Sequence, residues 1–130
     1  TGTAAASGIV GQEMSAASGT AVSLTSGTLT NIASISLPAG DWELESALRV
    51  TNAGNVTLLN FGVSATSATL PTDWWDRYNI TTTLAAGTST RQGMSRRVLL
   101  STTTTLYLVA QATFTSTCTA DGYIRARRMR

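Results

Sequence analysis

Chemistry in this chain would have to come from carboxylates, arginines and aromatic rings, because its 130 residues contain no histidine, no lysine and a single cysteine. Without histidine or lysine there is no base for a Ser or Cys nucleophile, and the usual zinc or copper ligand set is missing. Hydrolysis of a glycoside needs two carboxyl groups across a cleft, and the candidate pairs are Glu43 with Glu45 and Asp73 with Asp76. Glu43 and Glu45 stand two apart on a strand, about 7 Å from each other and pointing the same way, which does not bracket a sugar. Asp73 and Asp76 flank Trp74 and Trp75 in an irregular stretch, where aspartates serve more often as turn formers and caps. No catalytic residue, metal site or cofactor is predicted.

Binding is the better use of the same residues. Trp74, Trp75 and Tyr78 lie within five positions, and on a strand Trp74 and Trp75 face opposite ways, so at most one enters a given core. The other is available for a sugar, a protein surface or a subunit contact. Arg77, and Arg91 in the loop expected over 85–91, add donors for a hydroxylated or anionic ligand. This makes Trp74, Trp75, Arg77, Tyr78 and Arg91 the candidate receptor or glycan contacts. The two segments are expected to meet at the end of the domain farthest from residue 1.

The elements that position these residues are strands. Trp42, Leu44, Ser46, Leu48 and Val50 alternate with Glu43, Glu45, Ala47 and Arg49, so one face packs and the other meets water or a partner. The stretch 104–130 reads as a hairpin. In it Leu106, Leu108, Ala110 and Ala112 oppose Tyr107, Val109 and Gln111, and Ile124 and Ala126 oppose Tyr123, Arg125 and Arg127. Turns are expected at Pro38–Asp41 and at Asn52–Asn55, the latter closing a second hairpin. Residues 1–19 suit an extended linker or lead-in strand, and 20–130 a single domain. About eight strands without a disulfide predict an all-β, jelly-roll-like antiparallel β-sandwich. The Thr1 start, without an initiator Met, suits a fragment or a processed chain.

Charge supports interfacial pairing. Only 12% of residues are charged and the net charge is +2, so the nine arginines are expected to pair, not to bind nucleic acid. Glu43 and Glu45 are expected to meet Arg125 and Arg127. With Tyr107, Val109 and Tyr123, these residues form the candidate subunit interface. No apolar run approaches the roughly 20 residues of a membrane helix, which predicts a soluble domain without membrane insertion.

The stretches Thr20–Thr25, Ile35–Trp42, Thr105–Phe114 and Gly122–Arg128 resemble the C-terminal domain of tailed-phage fibre and head-fibre virion proteins. The resemblance spans about residues 20–130. It implies a virion location, assembly as a homotrimer with other virion proteins as neighbours, and either a receptor-binding tip directed at a host surface glycan or protein, or a capsid decoration. It identifies no active site.

Overall fold

The computed structural model describes residues 8–73 and 76–130, which form an all-β fold with no α-helix among them. Its strands are β1 (Glu13–Ala17), β2 (Val22–Ser23), β3 (Thr30–Leu37), β4 (Gly40–Asn52), β5 (Val56–Ser64), β6 (Arg77–Ile80), β7 (Gly87–Gln92), β8 (Arg96–Leu100), β9 (Thr104–Phe114) and β10 (Cys118–Arg128). They make two antiparallel sheets packed face to face. The front sheet runs β1-β10-β4-β7, with β2 continuing β1 along β10 and β8 continuing β7 along β4. The back sheet runs β3-β9-β5-β6.

Alternation settles the core. Trp42, Leu44, Leu48 and Val50 of β4, with Ala120, Ile124 and Ala126 of β10, turn inward against Ile35, Leu37, Leu59, Phe61, Val63, Leu106, Leu108 and Ala110 of the back sheet. The sheets approach closely at Gly122, where an added Cβ would lie 2.4 Å from Leu108 and 2.8 Å from Ile32. Cys118, at the start of β10, is a buried core position.

Two expected hairpins are crossings between sheets. β9 lies in the back sheet and β10 in the front, and the same is true of β5 and β4. The two turns pack side by side, with Ala53 N donating to Thr117 O at 2.9 Å and Thr115 N to Asn55 O at 3.2 Å. Gly54 is needed there, since a Cβ would sit 2.6 Å from the Thr115 carbonyl oxygen. Period two fixes which side chains face inward but not which strand lies alongside. The turn Pro38–Asp41 likewise carries the chain from back sheet to front.

Among the described residues ten strands replace the expected eight. Glu13–Ala17 is a paired strand along β10, with Met14 and Ala16 packed on the core. Gly87–Gln92, expected as a loop, completes the ladder along β4, where backbone pairing outweighs its lack of apolar residues.

The 65–73 segment lies over the outer face of the back sheet. Asn31 Nδ2 donates to Ser67 Oγ at 2.6 Å, Ala68 N donates to Asn31 Oδ1 at 2.8 Å, and the Pro71 ring comes within about 3 Å of where a Cβ on Gly62 would be. Val109, in register with Asn31 and Gly62, is fully buried beneath it. The expectation of Val109 at a subunit interface is therefore corrected: its own chain covers it.

Candidate binding face

The outer face of the front sheet gathers most of the chain's charge. Along β4 and β10 the register sets Glu43 beside Arg127, Glu45 beside Arg125, Ala47 beside Tyr123 and Arg49 beside Asp121. β1 adds Glu13, Ser15 and Ala17 along the other side of β10. These positions share a face because each is an odd step from the inward Trp42, Leu44, Ile124 and Ala126.

The charges are matched. Arg49 donates to both Asp121 oxygens, at 3.4 and 2.5 Å, and Arg125 Nη2 donates to Glu45 Oε2. Each carboxylate raises the pKa of its arginine. The expected meeting of Glu45 with Arg125 is present. Glu43 and Arg127 are register neighbours, yet Glu43 accepts from Ser95 Oγ at 3.0 Å and makes no ion pair with Arg127 among the described residues. At the end of the sheet, Arg97 holds the buried Asp41 through two hydrogen bonds of 2.8 and 2.5 Å, with Arg130 at 3.5 Å. The Arg97 guanidinium lowers the Asp41 pKa against the opposing effect of burial.

Tyr123 stands amid these pairs. It is 41% exposed, and its register partners on both sides are alanines, Ala17 and Ala47. A depression of about 270 Å³ lies over it, lined by Ala47, Arg49, Thr90 and Asp121 as well. A second, of about 120 Å³ between Glu13, Glu43, Glu45, Arg125 and Arg127, continues along the same strands. Tyr107 is not part of this surface. It belongs to the back sheet, in register with Ser34 and Ser64, so Tyr107 and Tyr123 face opposite sides of the sandwich and the expected single patch does not form.

The other predicted site divides. Trp74 and Trp75 lie outside the described residues. Tyr78 stacks on Phe61 with ring centroids 4.9 Å apart, which makes it a border of the core. Arg77 is in register with Gly62 on the outer face of the back sheet, whereas Arg91 is in register with the inward Leu48 and its Nε is buried without a hydrogen-bond partner among the described residues. What approaches the 76–78 segment is the 93–96 stretch, beyond the expected loop: Arg96 reaches from β8 to donate to Val63 O at 2.7 Å and lies 3.7 Å from Asp76, and Gly93 abuts Phe61. They meet along the side of the sandwich where β6 and β7–β8 end their sheets, the opposite margin of the front sheet from β1. Residue 1 lies outside the described residues.

No protein-family model and no curated protein matches this chain. Its function must therefore be argued from the sites themselves. Among the described residues no group of three His, Cys, Asp or Glu side chains is arranged to hold a metal ion. Asp76 N donates to Asp73 O at 3.1 Å.

Sequence reasoning missed Asp121, Arg49 and the Arg97–Asp41 pair. Arg49 and Asp121 are members of the outward faces of the two strands on which Glu45 and Arg125 are expected to meet, but the register that sets these two opposite each other, 72 residues apart, is not legible from either strand alone. It also missed Arg128, which turns inward with Ile124 and lies over the Trp42 ring at 4.4 Å.

Proposed function

We propose that the chain is a non-enzymatic structural and attachment domain of a phage virion, the distal receptor-binding tip of a trimeric tail fibre. One observation carries the reading beside the sequence resemblance. With β2 counted as an extension of β1 and β8 of β7, the strands pair from the ends of the chain inward: β1 with β10, β3 with β9, β4 with β7, β5 with β6. That nested order is one long hairpin rolled into two sheets, which supports a jelly roll, an architecture used by viral capsid and lectin domains. The engagement of arginines with carboxylates on the front face supports a recognition surface over a nucleic-acid one, since phosphate binding needs an unbalanced positive field.

A capsid head-fibre or decoration role is the second reading. It is favoured by the open edge of β8, where Leu99 is 81% exposed, and by Met94, 52% exposed in the connection from β7 to β8, a surface suited to other virion proteins or to a second and third copy of the chain. Electron microscopy of virions labelled with a gold-conjugated antibody against the domain tests both. Gold at tail tips is expected, gold on capsids would move the assignment to the second reading, and unlabelled particles would overturn both. Sedimentation of the isolated domain tests the trimer, and a monomer at micromolar concentration would remove it.

A further inference from the structure

Three features of the front face point to one class of ligand. The first is a ring laid bare: Tyr123 sits between Ala17 and Ala47, whose methyl groups are too short to cover either side of it. The second is the rim. Two residues along the strands in one direction is the Arg125–Glu45 pair, and two in the other is the Arg49–Asp121 pair, so donors and acceptors flank the ring at both ends. The third is continuity, because the depression at Tyr123 is followed by the one at Arg127 and Glu43. From Asp121 to Arg127 this strip is about 20 Å long at the rise of a β-strand.

We propose that this strip is a groove for a neutral oligosaccharide, with Tyr123 as its stacking platform. The inference rests on the attachment reading above and names its ligand class. A sugar presents an apolar C–H face and a belt of hydroxyls that both donate and accept; the Tyr123 ring meets the first, and the guanidinium–carboxylate pairs meet the second with charge-assisted hydrogen bonds. Charge balance selects neutral glycans. Arg49 and Arg125 each already hold a carboxylate, and Arg127 has Glu13 and Glu43 as register neighbours on its two sides, so along the strip the carboxylates Glu13, Glu43, Glu45 and Asp121 outnumber the arginines and a phosphate or sulfate meets no net positive field. A second copy of the chain is the poorer occupant, because a dry protein interface is depleted of charge at its centre and here charge surrounds the ring on both sides.

The test uses the whole 130-residue chain on an array of neutral oligosaccharides of glucose, galactose, mannose, rhamnose and N-acetylglucosamine, with sialylated and sulfated oligosaccharides alongside, and calorimetric titration of each hit. Binding of at least one neutral glycan is expected. Tyr123→Ala should weaken it about tenfold or more, Arg49→Ala should weaken it measurably, and Tyr123→Trp should retain it. Both residues substituted lie on the surface, and an unchanged melting curve establishes that each of the three variants is folded. Binding only of acidic glycans, no binding at millimolar concentration, or unchanged binding by Tyr123→Ala would each overturn the groove, as would loss of an oligomer by Tyr123→Ala in sedimentation. Glycan binding without virion labelling would leave the groove standing and refute the attachment reading; labelling without glycan binding would do the reverse.

Discussion

Replacing Arg128 should destabilise the fold more than replacing any arginine on the front face. Its side chain is nearly buried. Nε donates to Gln12 Oε1 at 3.1 Å, Nη1 donates to Ala39 O at 3.1 Å, and the guanidinium lies over Trp42, whose own Nε1 donates to Pro38 O at 3.0 Å. One residue thus ties the start of β1, the β3–β4 crossing and the end of β10. The cation–π contact contributes about 1–2 kcal/mol, and each charge-assisted hydrogen bond roughly 1.5. Desolvation of a cation that no carboxylate approaches among the described residues offsets part of this. The expected cost of Arg128→Ala is about 3 kcal/mol, or about 12 °C in melting temperature at roughly 4 °C per kcal/mol for a chain of this length.

Gly40 supplies an internal check. A Cβ at Gly40 would lie 2.1 Å from Arg128 Nη1, and φ is +149°, so Gly40→Ala suffers both a clash and backbone strain. In an Arg128→Ala background the clash with the guanidinium vanishes, leaving the strain and a tight 3.3 Å approach to Trp42 Nε1. The double variant should therefore be less destabilised than the sum of the singles, by about 1–2 kcal/mol, in urea unfolding followed by far-ultraviolet circular dichroism. Additivity within about 0.5 kcal/mol would refute the proposed packing of Arg128 against Gly40, and a cost below about 1 kcal/mol for Arg128→Ala would refute its role as a tie.

Gly122→Ala should cost about 1–2 kcal/mol in the same assay, because the new methyl meets Leu108 and the stiff, β-branched Ile32, and this overpacking exceeds the gain from a less flexible unfolded chain. Asp41, its pKa held below 3.8 by Arg97, stabilises the fold above that value and ceases to do so as pH falls through its lower folded value. Acid unfolding below about pH 4 should therefore be shallower in Asp41→Asn than in the parent, and identical slopes would remove Asp41 from the explanation. Burial pushes the Cys118 thiol up, so a thiol reagent such as iodoacetamide should modify it only at the rate of unfolding; rapid labelling of the folded chain would contradict its place in the core.

Alternation made much of this fold readable in advance. β4, β9 and β10 point inward the residues their period predicts, and Trp42 lies in the core. Residues 87–92 escaped notice because Gly, Thr, Ser, Arg and Gln carry no apolar rhythm; they are a strand because β4 leaves an edge of unpaired amides beside them. Val109 is a related case. Its outward position is correct, but the 65–73 segment folds back over it, held by Asn31, and no local pattern announces where an irregular segment will lie.

The larger error was the pairing, and it bears directly on function. A short turn between two strands of matching length reads as a hairpin, yet in a rolled sandwich the same turn carries the chain across the core. Strand neighbours are then found far off in sequence: Glu45 meets Arg125 80 residues away, and Arg49 meets Asp121 72 residues away. Each carboxylate lies on a different strand from its arginine, so no linear motif encodes the pair. Tyr123 illustrates the result. From its own strand it was one outward ring among arginines and suited a contact with another subunit. With Ala17 on one side and Ala47 on the other it becomes an uncovered platform between two neutralised charge pairs, a property that exists only once β1 and β4 flank β10.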